Sequence, residues 1–251
     1  MDERTFKTRD AKSSEDVLNF FDEYAPDWDA RFGNRRSTVE FQKLRVEKFL
    51  QIAKLKSTDS VIELGVGTGP YLNTIAPLVK EVKCIDGSKR MLDVLENKYK
   101  HLSNIELLQI DVEKPLQNCA FNADIVYCFG LLEHIIDVNT FLKNCVKMLS
   151  AKGRMVFVCS NARSPWYKGM SKLWRAGRHC STDKYYTDMQ LNKLMVHFGF
   201  TPQEFIYWGY FPAGINDVLF NMLNIVGRMI DKTWLRRYAG GFAASYKLQK
   251  L

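Results

Sequence analysis

From about residue 60 onward, short apolar runs and longer amphipathic segments take turns along the chain. SVIEL (60–64), VKCID (82–86), IELLQID (105–111), ADIVYCF (123–129) and RMVFVCS (154–160) are apolar runs of strand length. Between and after them, roughly 69–79, 88–99, 137–149 and 187–198 space their apolar residues at helical intervals. Strands that are apolar throughout, alternating with helices, predict a parallel sheet covered on both faces. Upstream, Val39, Phe41, Leu44, Val46, Phe49, Leu50 and Ile52 predict a helix over 38–55. Ser14 is placed to cap a shorter helix carrying Val17, Leu18, Phe20 and Phe21. Downstream, 200–211 and 239–250 read as two further strands. The expected class is α/β, with a seven-stranded, mostly parallel sheet. No internal repeat or low-complexity linker divides the chain, so residues 1–251 read as one domain, with polar residues 1–14 disordered.

Two stretches do not fit the alternation and read as helical insertions, 162–182 and 212–238. In the first, Trp166, Met170, Leu173 and Trp174 fall on one helical face and Lys168, Lys172, Arg175 and Arg178 on the other. That pattern suits a helix lying on an anionic membrane, and equally a lid that packs its apolar face on the domain. In the second, Asp217, Asn221, Asn224, Arg228 and Asp231 form one narrow stripe and most other positions are apolar. So wide an apolar arc needs cover from the domain, a partner subunit, lipid or a greasy substrate.

Charge sharpens this picture. The 251 residues carry a net +8, with seven Lys/Arg and no acid in 151–182, and six Lys/Arg against one acid in 228–251. The rest of the chain is therefore about −4, so the basic character belongs to a face. The six cysteines include no CxxC pair, which argues against zinc or a disulfide scaffold and for free thiols in a reducing compartment. The N-terminus has no secretory h-region, and no run of 18 uncharged apolar residues occurs. A cytoplasmic protein, peripheral on the membrane at most, is expected.

The candidate chemistry lies where the strands end. In VIELGVGTG (61–69) the glycines are spaced GxGxG, not the GxGxxG of dinucleotide sites, and Glu63 stands two residues before the first. An acid there repels a pyrophosphate and suits an ammonium group, while Gly65, Gly67 and Gly69 let backbone approach a ligand. Asp86, closing the second strand, can accept from both hydroxyls of a ribose. Ser88 is a candidate N-cap, and Met91 turns an apolar side chain to the site. Asp111 and the Val112 N–H can meet the polar edge of an adenine. The fourth strand runs into CFGLLEHI (128–135).

Together, E-x-G-x-G-x-G, the acid closing strand two, D-V after strand three and LLEH after strand four resemble the class I S-adenosylmethionine-dependent methyltransferases. The resemblance covers roughly residues 15–211 and the final strand. It implies a Rossmann-like fold, with both insertions at the cofactor end, and S-adenosylmethionine as cofactor. Within that family FFDEYAPDWD, Arg45 twenty positions before Gly65, LLEH at 131–134 and SNARSPW are closest to the ubiquinone- and menaquinone-biosynthesis methyltransferases. The resemblance assigns Glu63, Gly65, Gly67, Gly69, Asp86, Met91, Asp111, Val112, Phe129 and Arg45 to the cofactor. Those relatives have a metal-holding glutamate where this chain has Gly130, so no metal is expected.

Methyl transfer needs in-line alignment, exclusion of water and removal of the acceptor's proton. His134 is the candidate base, because imidazole titrates near neutral pH; the alternative is that it packs on and caps the helix that follows. Glu133 either orients His134 or is an exposed helix acid. Tyr24, Trp28, Trp166 and Trp174 are candidates to close over cofactor or acceptor. His101, His179 and His197 fall in no ligand spacing. The expected reaction is O- or N-methylation of a hydrophobic or lipid-tailed small molecule, with an anionic membrane surface as partner. The alternatives are a soluble acceptor beneath a lid, or a non-catalytic cofactor-binding relative. A nucleic-acid substrate is not expected, because no N/D-P-P-Y/F motif follows strand four.

Overall fold

The computed structural model describes residues 11–33, 35–117, 121–168 and 184–249. The expected disorder over 1–14 therefore lies outside the described residues for 1–10, and from Ser14 the chain is helical. The helices are α1 (Ser14–Tyr24), α2 (Arg36–Ala53), α3 (Leu72–Ile75), α4 (Lys89–Lys98), α5 (Val138–Met148), α6 (Pro165–Lys168), α7 (Asp188–His197) and α8 (Asp217–Ile230). The strands are β1 (Ser60–Leu64), β2 (Glu81–Asp86), β3 (Ile105–Gln109), β4 (Ala123–Phe129), β5 (Leu149–Ser160), β6 (Phe200–Trp208) and β7 (Gly241–Leu248). They form one sheet in the order β3-β2-β1-β4-β5-β7-β6, with β7 antiparallel to both neighbours.

Pleating sends alternate residues of each strand to opposite faces. Ile62, Leu64, Val126, Cys128, Met155 and Phe157 meet Phe141, Leu142 and Cys145 of α5 and Leu191 and Met195 of α7. Val61, Ile125, Tyr127, Val156 and Val158 meet Phe49 and Ile52 of α2, Leu72 and Ile75 of α3, and Leu92 and Leu95 of α4. Both faces are thus buried, which is why the strands read as unbroken apolar runs. Cys84, Cys128, Cys145 and Cys159 are free and buried in these layers.

Several boundaries differ from expectation for physical reasons. Ser13, not Ser14, caps α1: its hydroxyl accepts from the Asp16 N–H while Asp16 answers the Ser13 N–H. The helix expected over 69–79 is broken, because Pro77 forces its second half into a 3-10 turn, Ala76–Leu78. β5 begins five residues early, at Leu149 beside Ala123, and a register shift between Ala123 and Ile125 absorbs the irregularity. β3 ends at Gln109, so Asp111 sits in the loop beyond it.

That loop is fixed from below by Asn144, buried on α5. Its amide donates to the Val112 and Lys114 carbonyls, both at 2.8 Å, and accepts from the Leu116 N–H at 3.2 Å. Replacing it strands three backbone groups at once. Asn144→Ala is expected to cost about 2–4 kcal/mol. Thermal unfolding followed by circular dichroism should show a midpoint lowered by about 4–16 °C.

Candidate active site

The carboxyl ends of β1 to β4 open into one cavity of about 520 Å³, within the range of small-molecule sites. Gly65 and Gly67 turn the chain sharply at φ +64° and +58°. A Cβ on Gly65 would strike Leu131, whereas one on Gly67 would meet nothing, because that residue faces the open cavity. The loop is held by Asp86, which accepts from the Gly67 N–H at 2.8 Å with one oxygen and from the Ser88 N–H at 2.8 Å with the other. Burial pushes the Asp86 carboxyl up to about 6, against those two backbone donors.

Glu63 lies beneath the loop, 2% exposed, and accepts from the Tyr127 hydroxyl at 3.0 Å. Burial raises its pKa to about 8, with the Tyr127 bond opposing and the Asp86 charge adding to the rise. A buried carboxyl in that condition gains by ionising when a cation arrives. Arg45 reaches in from α2, its guanidinium 5.8 Å from the centre of the Phe129 ring. Burial works against its charge, but Tyr71, Glu133 and Tyr167 more than offset this and its pKa lies above the ordinary value.

Glu63, Gly65, Gly67, Asp86, Met91, Asp111, Val112, Phe129 and Arg45 all line the cavity. Gly69 does not: it turns at φ +69°, and a Cβ there would strike Leu72 and crowd Tyr99, so its absence of side chain serves packing. Ser88 caps α4, its hydroxyl accepting from the Met91 N–H. Asp111 accepts from the Ser14 hydroxyl at 3.0 Å and the Glu113 N–H at 3.0 Å.

His134 and Glu133 also line the cavity, on the 3-10 turn Leu132–His134 that follows β4. The His134 ring meets Phe21 edge-on at 5.2 Å. It does not cap α5, whose cap is Asp137. Glu133 is not an exposed acid. It is buried and accepts from the Ser160 N–H at 2.5 Å, tying the turn to the end of β5. Gly130 stands at φ +66°, and the place a longer side chain would take is filled by the Arg45 guanidinium and Glu133. Among the described residues no group of three or more His, Cys, Asp or Glu is placed to hold a metal ion.

Trp28 and Trp166 line the cavity, while Tyr24 packs on Phe20 at 4.7 Å away from it. Trp174, with Met170, Lys172, Leu173, Arg175 and Arg178, lies outside the described residues. Trp166 thus faces inward, and the side chain expected to reach lipid helps wall the cavity. Sequence reasoning did not place Ser14, Phe21, Tyr71, Tyr167, Tyr185 and Phe211 in the site, although each lines the cavity. Only Phe21 carried a signal, as an apolar position on α1. The Ser14–Asp111 bond spans 97 positions and left none.

The glycine loop, buried acids and adjoining apolar wall fit S-adenosylmethionine, a cation joined to an adenosine. A family profile described as "Methyltransferase domain" matches residues 62–157. The ubiquinone biosynthesis O-methyltransferase of Acinetobacter baylyi is 28% identical over 147 residues, 58% of this chain and 61% of that protein. The enzyme of the same name from Coxiella burnetii is 28% identical over 142 residues, 56% and 60% of the two chains. This chain therefore spans about three fifths of the curated relatives it matches. Two solved structures share the fold. One is the N-methyltransferase NodS of Bradyrhizobium japonicum with S-adenosyl-L-homocysteine (TM-score 0.62, 14% identity, 94% of this chain and 99% of that one). The other is a SAM-dependent methyltransferase of Aquifex aeolicus (TM-score 0.60, 13% identity, 91% and 98%). The strand order and the glycine loop agree with the profile match over residues 62–157, and in these features the chain is similar to the class I S-adenosylmethionine-dependent methyltransferases.

Proposed function

We propose that the protein methylates an oxygen or nitrogen of a small, largely apolar acceptor. The observation that carries this reading is a single cavity with two kinds of wall. Buried acids and glycines make one, and Phe21, Trp28, Trp166, Tyr167, Tyr185 and Phe211 supply the aromatic lining of the other. Bound S-adenosylmethionine would supply an electrophilic methyl group on a sulfur that leaves without needing a proton. Glu63 offers a carboxylate to the cationic part and Asp86 accepts from ribose hydroxyls. Asp111 and the Val112 N–H meet the adenine edge, beside Met91. Arg45, beside Phe129, offers a counter-charge to a carboxylate. His134 takes the acceptor's proton and later returns it to water. The aromatic side chains keep water from the transfer.

A soluble acceptor under a lid is the second reading, and the inward-facing Trp166 favours it. Among the described residues no helix is long and apolar enough to cross a membrane. Radiolabelled S-adenosylmethionine offered to fractionated cell extract decides between the readings. Label entering the organic phase supports the apolar acceptor, label confined to water-soluble products supports the second reading, and no label in either overturns both.

Asp86→Ala is expected to weaken binding of S-adenosylhomocysteine by about 1.5–3 kcal/mol, roughly 10- to 150-fold by calorimetry, while NAD binds neither protein. His134→Ala should lower turnover about 10²–10⁴-fold while leaving that affinity within about threefold, read from single-turnover kinetics beside calorimetry.

Glu63 gives a pH test with a definite sign. Its folded pKa, about 8, lies above the ordinary 4.5, so the folded protein holds a proton that the unfolded chain has lost. Stability is therefore shed as pH rises from about 4.5 through about 8, where the folded carboxyl also ionises. Glu63→Gln removes that loss, and its melting temperature relative to wild type should climb across that window. At about pH 7 binding of S-adenosylhomocysteine should release a proton from wild type and none from the variant, measured by calorimetry in buffers of different ionisation heat.

A further inference from the structure

The insertion between β6 and β7 shows solvent a face that the other described residues leave bare. α8 is capped by Asn216, which accepts from the Leu219 N–H. Its inner side is settled: Phe220 is buried against Phe211 at 4.7 Å, and Gly227 is pressed against the Tyr210 ring. Its outer side carries Val218, Met222, Ile225, Val226 and Met229, each between 48% and 73% exposed. At 100° per residue these five occupy an arc of about 100°, one continuous stripe. The turn that follows adds Trp234 at 73% exposure, packed edge-on with Tyr238.

Bases outnumber acids around this stripe. Arg228, Lys232, Arg236 and Arg237 flank it, and at the foot of the helix Arg35 donates to the Gly214 carbonyl while Arg36 lies over Phe220. Against these six bases stand Asp217, Asp231 and Asp188; Asp231 already accepts from the Tyr210 hydroxyl at 2.8 Å, and Asp188 lies 3.9 Å from the Arg237 guanidinium. The mounting is rigid at both stems. Buried Asn161 donates to the Arg237 and Ala239 carbonyls, both at 2.9 Å, and the Gly240 N–H donates to the Gly209 carbonyl at 2.6 Å.

We propose that α8 and the turn through Tyr238 dock on an anionic lipid bilayer, with the apolar stripe in the acyl boundary and the bases among headgroups. A flat apolar stripe with an interfacial tryptophan and a basic rim is what such a surface requires. A second copy of the chain fits poorly. The stripe measures about 21 Å by about 10 Å, roughly 200 Å² against about 800 Å² per partner in a stable interface. Pairing two such faces would also bring like charges together. Docking here bears on the cavity because Phe211, Pro212, Ala213, Gly214 and Gly240, the stems of the insertion, line it. That link to catalysis rests on the apolar-acceptor reading; docking itself does not.

The test is co-sedimentation of the full-length protein with phosphatidylglycerol/phosphatidylcholine vesicles and with phosphatidylcholine vesicles alone. Binding is expected only to the anionic vesicles, and it should fall sharply at about 1 M salt, where the Debye length is about 3 Å. Met222→Ser, Ile225→Ser and Met229→Ser together, and separately Arg228→Glu, Lys232→Glu and Arg236→Glu together, should each lower the vesicle partition coefficient about tenfold or more. Both sets lie on exposed positions, so calorimetry with S-adenosylhomocysteine should match wild type. Loss of that binding in wild type would overturn the functional reading and leave docking standing. Wild type that ignores anionic vesicles at low salt, or variants that bind them like wild type, overturn the docking. So does a wild-type dimer that the serine variant turns into monomer in sedimentation equilibrium, since a second copy would then own the face.

Discussion

Asp86 is the residue on which the cofactor end of the sheet depends. One carboxylate oxygen receives the Gly67 N–H from the loop after β1 and the other receives the Ser88 N–H from the turn after β2. Two loops that leave neighbouring parallel strands are thereby fixed at one point. The arrangement costs solvation of a charged group, which is why burial lifts the carboxyl to about 6. A short neutral side chain could pack in that space but could not satisfy both donors.

From this point the enclosure extends outward through the first helix. The Ser88 hydroxyl donates to Asp22 at 2.6 Å and the Arg90 N–H donates to the same oxygen, fastening α1 to the start of α4. Ser14, at the other end of α1, donates to Asp111 beyond β3. Between these ties Leu18 lies so close over Gly87 that a Cβ there would strike it. The helix becomes one wall of the cavity, and the polar residues at its ends hold it there.

The centre of the sheet was legible in the sequence because β1, β4 and the second half of β5 are buried on both faces and so carry their own signal. β1, β2 and β4 fall within one residue of where their apolar runs begin and end. Less was legible where a contact rather than a period decides the outcome. Pro77 was visible yet its break in the helix was not anticipated, and β5 extends backward because Leu149 finds Ala123 on a neighbouring strand. In the site, residues at strand ends announced themselves by chemistry and position, as Glu63, Asp86 and Asp111 do. Gly69 matched the same motif but serves Leu72 and Tyr99. Tyr185 and Phe211 reach the cavity from segments with no motif at all, and Glu133 found a backbone donor at Ser160 where sequence offered His134 or solvent.

The buried thiols give the sheet a built-in clock. Cys84 and Cys128 lie on strands that flank β1, Cys159 near the end of β5, and Cys145 on the helix against them. Burial pushes all four above the ordinary thiol range. An alkylating reagent attacks thiolate that solvent can reach, so these four react at neutral pH only after the layers part. Their labelling counts global openings of the fold, and a loss of activity that precedes it cannot have come from them.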